Sequence, residues 1–201
     1  MQPNVLNPTD YKDYLSRIDF SAPLNAAAPA PTLATLRLLH RSHMLAVPFE
    51  NLSIHYGQPI ILQEAALFDK IVRQRRGGFC YELNGLFAWL LETLGFQVTL
   101  LSAGVARAAG GFGPEYDHLT LQVHNLDGAD WLADVGFGDS FRQPLRFEAR
   151  LEQDGGDGHP YRLLRAEPTG EDNTPRDYWI VQQFNEGRWQ DQYRFTLQPH
   201  T

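Results

Sequence analysis

The sequence contains a single cysteine, Cys80, in the run Arg75-Arg76-Gly77-Gly78-Phe79-Cys80. A thiol attacks as its thiolate, so a reactive cysteine needs a local reason to ionise. Two such reasons are written in the chain. Cys80 falls in the first turn of a predicted helix, where unpaired backbone N–H groups and the positive end of the helix dipole favour an anion. Arg75 and Arg76 lie just upstream, and Gly77-Gly78 gives the backbone freedom to turn sharply and present the thiol at the helix tip. A buried, inert thiol is the ordinary fate of a lone intracellular cysteine, and this context argues against it.

A thiol nucleophile works best beside an imidazole that a third group holds in place. Of the seven histidines, His40, His43 and His55 lie in or near the helical part, His159 in a glycine-rich loop and His200 at the terminus. His118 and His124 remain, on one predicted strand. Six residues apart, they share a face, so parity does not choose between them. Asp134 stands in the apolar run Trp131-Leu132-Ala133-Asp134-Val135-Gly136-Phe137-Gly138, where a carboxylate is costly unless it is paired. Two readings account for it: a partner to an imidazolium, or a side chain capping a turn before Gly136.

The elements that must position these groups follow from periodicity. Up to about residue 95 the pattern is helical. Asp10 is placed to cap a short helix through Ile18, and Ala22 to Pro31 reads as a linker. Thr32 caps a helix with Leu33, Leu36, Leu39 and His43 on one face, which Pro48 stops. A third helix runs from about Gln63 into Arg73 to Arg76, and a fourth from Cys80 to Gly95 carries an apolar stripe wide enough for a central core helix. From residue 96 the pattern changes to strands: 97–105, 118–124, 131–137, 144–147, 161–166, 178–184 and 189–197. The last two flank a hairpin turn at Asn185 to Arg188. Residues 154–158 and 168–177 read as loops. Strands without intervening helices imply an antiparallel sheet or small barrel, so the class is α+β.

Composition narrows the function. With 201 residues, 43% hydrophobic and 20% charged, the chain builds a core without disulfides or structural metal. The formal charge of −7 and isoelectric point near 5.4 oppose nucleic-acid binding. One cysteine excludes an intrachain disulfide and argues against a metal site. The N-terminus lacks a signal-peptide pattern, and no apolar run approaches the roughly 18 residues of a membrane span. The expectation is a cytoplasmic protein with no metal, nucleic-acid or membrane partner.

Three segments together resemble the arylamine N-acetyltransferase family: Arg76-Gly77-Gly78-Phe79-Cys80-Tyr81-Glu82-Leu83-Asn84, Val47-Pro48-Phe49-Glu50-Asn51-Leu52 upstream, and Asp117-His118-Leu119-Thr120-Leu121 followed by Asp134-Val135-Gly136-Phe137-Gly138 downstream. The resemblance implies a helical bundle over residues 1–95 carrying the nucleophile, then an antiparallel β-barrel over 96–201 carrying the His and Asp, in a cysteine-protease-like triad arrangement. It selects His118 over His124. It further implies acetyl-CoA as donor, an arylamine or hydrazine as acceptor, and ping-pong transfer through acetyl-Cys80, with His118 as its proton partner and Asp134 orienting the ring. Gly136, Phe137 and Gly138 match the loop that approaches the cofactor, and Phe49 and Phe137 match aromatic residues near the acceptor pocket. Family members usually continue into a third, lid domain. The sequence stops near where that would begin, so the expectation is a lidless chain with impaired transfer, thioester hydrolysis and self-association through uncovered surface. Two rivals are another Cys-His-Asp enzyme, transglutaminase-like or papain-like, and a non-catalytic module that binds CoA or a partner.

Overall fold

The computed structural model of the chain describes residues 6–7, 9–20, 28–166 and 177–199, dividing them between an N-terminal group of helices and one continuous antiparallel sheet. Residues 22–27 of the linker and residues 168–176 of the loop read from sequence lie outside the described residues. Helix α1 spans Tyr11–Arg17 and α2 spans Leu33–Ala46. Thr32 caps α2 as its position requires, accepting from the Thr35 N–H at 3.2 Å. Asp10 does not cap α1: it has helical backbone angles itself, and its carboxylate accepts from the Asn7 N–H upstream.

One turn, α3 (Leu52–His55), has no signature in the hydrophobic spacing. The expected third helix is composite, with α4 (Glu64–Phe68) widening into a π-helical turn over Asp69–Arg73. The wide turn buries both Ile71 and Val72 while Lys70 reaches Glu82 on the next helix. That helix, α5 (Cys80–Thr93), is the central one. Leu83, Leu86, Phe87, Leu90 and Leu91 are fully buried, and Gly95 supplies the left-handed residue that ends it, at φ +89°.

Among the described residues eight strands follow: β1 (Val98–Val105), β2 (His118–Leu126), β3 (Ala129–Ala133), β4 (Leu145–Arg146), β5 (Gln153–Asp154), β6 (Pro160–Ala166), β7 (Tyr178–Asn185) and β8 (Arg188–Pro199). Their order across the sheet is β4-β3-β2-β1-β8-β7-β6-β5, every pair antiparallel. Glu186 and Gly187, both at positive φ, form the expected tight β7–β8 turn. Two departures from the sequence reading matter. Strand β3 stops at Ala133 rather than continuing to Phe137, and in the turn that follows the Asp134 carboxylate accepts from the Gly136 N–H at 3.0 Å. Gln153–Asp154, expected in part as loop, is a strand.

The sheet curls until β4 and β5 meet, and a side chain joins them. The Gln153 amide accepts from the Arg146 N–H at 2.6 Å and donates to the Arg146 carbonyl at 3.1 Å, reproducing the two bonds of a backbone pair. Alternation along β2 then serves two cores. Leu121 and Val123 enter the helical core with α1, α2, α4 and α5, while Thr120 faces Tyr193 among the aromatic residues filling the barrel.

A guanidinium ties the helices together. Arg17 of α1, 5% exposed, donates to the Ala46 carbonyl at the end of α2 (2.8 Å) and to Ile71 in the π-turn (3.0 Å), with Arg75 at 3.5 Å. These carbonyls belong to chain ends that lack intrahelical donors. Arg17→Met keeps the apolar stem but orphans them, and we expect a loss of about 3 kcal/mol in a denaturant titration, from two charge-assisted hydrogen bonds.

Candidate active site

Cys80 sits at the first residue of α5, 8% exposed. The turn before it is built on close approach rather than unusual torsion. Gly77 and Gly78 have ordinary negative φ, and the left-handed residue is Arg75, at φ 54°. What requires glycine is the strand-like segment Pro48–Glu50, which runs beside the pair, with Glu50 N–H donating to the Gly78 carbonyl at 2.9 Å. A Cβ on Gly77 would overlap the Pro48 carbonyl oxygen, and one on Gly78 would strike Glu82. This corrects the expectation that the glycines serve a sharp turn.

Arg76 is likewise not poised over the thiol as read from sequence. Arg76 is engaged by Glu50 (2.8 Å) and Ser53 Oγ (3.0 Å). Lys70 bridges from Glu82, at 2.7 Å, toward Glu50, at 3.6 Å, and Glu82 Oε2 accepts from the Phe79 N–H at 3.2 Å, capping α5 immediately before the cysteine. The charges therefore brace the nucleophile's turn.

Of the two strand histidines, the structure brings His118 to Asp134, with Nε2 and Oδ2 2.6 Å apart. Nδ1 is left for Cys80, whose side chain lies within hydrogen-bonding reach of the ring. His118 is 2% exposed and Asp134 fully buried. Burial disfavours charge on the imidazole, but the Asp134 carboxylate outweighs it, raising the ring to about 9, with Cys80 adding to the effect. Burial pushes the Asp134 carboxyl up, and the imidazole, Asn84 and the Gly136 N–H together hold it below its usual range. Both sequence readings of Asp134 hold at once: one oxygen serves His118 and the other caps the turn at Gly136.

His124 instead bonds Thr99 Oγ1 at 2.8 Å and Asp130 at 3.3 Å, a separate half-buried network. Asn84 is the site residue whose position the motif contained without revealing its task. One turn after Cys80 on the same helix, it donates to Asp134 Oδ1 (2.9 Å) and to the Leu119 carbonyl beside His118 (2.6 Å), and accepts from the Val135 N–H (2.9 Å). The visible signal was a polar side chain inside an apolar stripe.

Gly136 lies flat on that helix, since a Cβ there would meet Cys80 Cα at 2.8 Å and the Asn84 amide at 2.8 Å. Phe137 and Tyr193 stand over the His118 ring at 5.1 and 5.0 Å. Tyr193 faces Asp134 as well, and nothing in the spacing of β8 distinguished it from the other inward residues. Gly138 is at φ +96° with open space around it, and Phe49, half exposed, pairs with Gly78. Among the described residues, no group of three or more His, Cys, Asp or Glu could hold a metal ion, and no helix is long and apolar enough to cross a membrane.

Comparison with known proteins agrees with this geometry. A family model described as N-acetyltransferase matches residues 32–201. The Arylamine N-acetyltransferase / N-hydroxyarylamine O-acetyltransferase of Salmonella typhimurium is 39% identical over 168 residues, 83% of this chain and 56% of its own length. The crystal structure of Nocardia farcinica arylamine N-acetyltransferase superposes with a TM-score of 0.82 at 44% identity, over 95% of this chain and 64% of that one. The Mycobacterium marinum arylamine N-acetyltransferase, solved in complex with CoA, does so at 0.80 and 34% identity, over 95% and 66%. The chain thus spans between about half and two thirds of these relatives, and over that span it belongs to the arylamine N-acetyltransferase family.

Proposed function

We propose that the chain is an acetyl-CoA-dependent N-acetyltransferase that transfers acetyl to arylamines or hydrazines through an acetyl-Cys80 intermediate, as a small-molecule enzyme of the cytoplasm. The observation that carries this is the thiol at the tip of α5 within reach of an imidazole that a buried carboxylate keeps protonated. The CoA complex of the Mycobacterium marinum relative supports the donor. We assign the nucleophile to a helical unit, residues 1–95, and His118 and Asp134 to a barrel unit, residues 96–201.

In the first half-reaction the thiol proton resides on His118, and Cys80 Sγ attacks the acetyl carbonyl. The carbonyl carbon forms a bond to Sγ, its bond to the CoA sulfur breaks, and CoA leaves with the proton from the imidazolium. In the second half-reaction the amine attacks the thioester. A C–N bond forms, the C–Sγ bond breaks, and the amine proton returns through His118 to the thiol. Asp134 keeps the ring oriented through both. Two successive displacements at one sulfur give ping-pong kinetics. Gly136, Phe137 and Gly138 form the edge against which the donor would lie, and Phe49 and Phe137 offer aromatic surface to an aryl acceptor.

Intact mass after exposure to acetyl-CoA tests this directly. The parent is expected to gain one acetyl group, and Cys80→Ser and His118→Ala none. For these 201 residues by themselves we expect slow amide formation, with water taking a share of the thioester. Efficient amide synthesis with no hydrolysis would overturn that part. Release of amine from a peptide, without reaction with acetyl-CoA, would favour the hydrolase reading.

The pH dependence has a definite sign. His118 titrates near 9 in the folded chain against about 6.5 unfolded, and Asp134 lies below its unfolded value near 4. The pair therefore contributes fully between about pH 4 and 6.5, and its contribution is lost as pH rises through 9. The difference in melting temperature between the parent and Asp134→Asn is expected to be largest near pH 6 and to shrink toward pH 10.

Between Leu45 and Leu62 seven large apolar side chains are each 49–76% exposed: Leu45, Phe49, Leu52, Ile54, Tyr56, Ile61 and Leu62. Monomeric proteins rarely leave such surface open, and we infer self-association of the 201-residue chain. Sedimentation equilibrium is expected to show a concentration-dependent mass; a monomer throughout the micromolar range would exclude it.

A further inference from the structure

Helix α2 places a second imidazole against the site without touching the reacting atoms. His40 is fully buried, in a helix face it shares with Leu33, Leu36, Leu39 and His43. Neutral imidazole in such a place is worse than leucine unless a hydrogen bond compensates. That bond goes to the main chain of Asp134, whose N–H donates to His40 Nε2 at 3.1 Å. The last ladder partner of β3 toward the turn is Ala133, opposite Leu121, so Asp134 is where the strand leaves the sheet. Its amide points into the helices, and His40 receives it. The imidazole plane is itself fixed, stacked on Phe141 of the barrel core (5.8 Å, 13°) and edge-on to Phe87 of the helical core (6.2 Å).

The geometry points to His40 as a positioning residue for the Cys80–His118–Asp134 triad: it sets where β3 ends, so that the Asp134 carboxylate emerges level with His118. The inference rests on the acyl-transfer reading of that triad. Side-chain and main-chain restraints on Asp134 divide cleanly. Asn84 and the Gly136 N–H hold Oδ1, and His40 holds the amide, which leaves Oδ2 aimed at the imidazole. With no acceptor at position 40, the buried Asp134 N–H is orphaned. Such a group regains a partner by rotation of the Ala133–Asp134 peptide, which swings the carboxylate away from His118. An acceptor nitrogen must be unprotonated, and burial pushes the His40 ring down to about 4, against the Arg142 main chain and the Asp134 carboxylate, so it remains an acceptor at neutral pH.

Three variants separate positioning from packing. Glutamine carries an amide oxygen at about the reach of Nε2; asparagine has the same chemistry one methylene short; leucine fills the space without an acceptor. The readouts are the rate of Cys80 alkylation by iodoacetamide at pH 6.5, which needs no cofactor, and single-turnover acetylation by intact mass, with melting temperature alongside. We expect His40→Leu and His40→Asn to slow alkylation about tenfold or more, and His40→Gln to stay within about threefold of the parent. A purely structural role would lower the melting temperature without that order in reactivity. Equal alkylation rates for Gln and Asn overturn the proposal, and this comparison stands even if the leucine variant does not fold. Were the parent to take no acetyl group while the alkylation order held, positioning of the thiol's partner would stand and the transferase reading would fall.

Discussion

A carboxylate with no exposure to water, held 2.6 Å from an imidazole, is the interaction on which the rest of this architecture depends. Burying such a charge is unfavourable unless nearly every lone pair finds a donor. Asp134 finds three, from His118, Asn84 and the Gly136 N–H, and these come from β2, α5 and its own turn. No single element supplies them. The helices and the sheet must therefore pack in one register before the carboxylate is satisfied, and the same register sets the thiol beside the imidazole.

That requirement explains features remote from the chemistry. Helix α5 can lie against the turn after β3 only because residue 136 has no side chain, and the chain before Cys80 can run beside Pro48 only because residue 77 has none. Lys70, Glu82, Glu50 and Arg76 form a mostly buried charge relay beneath that turn, and Arg17 fastens the helix ends behind it. Each of these residues fixes a backbone segment, and the reactive groups inherit their positions. The helical core and the barrel core share strand β2, whose alternate side chains feed one and then the other. The site lies on this shared wall.

Periodicity made the long elements legible: α2, α5 and the strands from β6 onward follow from spacing, capping and turn residues. Cys80 and Asp134 could be picked out because each is costly or reactive where it stands, whereas only the family resemblance separated His118 from His124. Partners distant in sequence were not legible. The pattern put Arg76 beside the thiol because the two are four residues apart, but Glu50, 26 residues upstream, claims it. Glycine 77 was read through torsion, whereas the deciding contact is with Pro48. The π-turn after α4 and the pairing of Gln153 leave no local trace, since both are imposed by packing against segments elsewhere in the chain. His40 looked like another helix residue until the end of β3, 94 residues later, was seen to lean on it.

The closure of the barrel by Gln153 has a further consequence. Everywhere else around the hoop, neighbouring strands are held by ladders of main-chain bonds, but at this seam the joining falls to one primary amide and a single main-chain bond, from the Arg142 N–H to the Gly155 carbonyl at 2.6 Å. A ladder tolerates no change of register without losing all of its bonds, whereas an amide on a rotatable stem follows its partner through small displacements. The seam is therefore the barrel's expansion joint, and it is set only one strand away from β3, at whose end Asp134 stands.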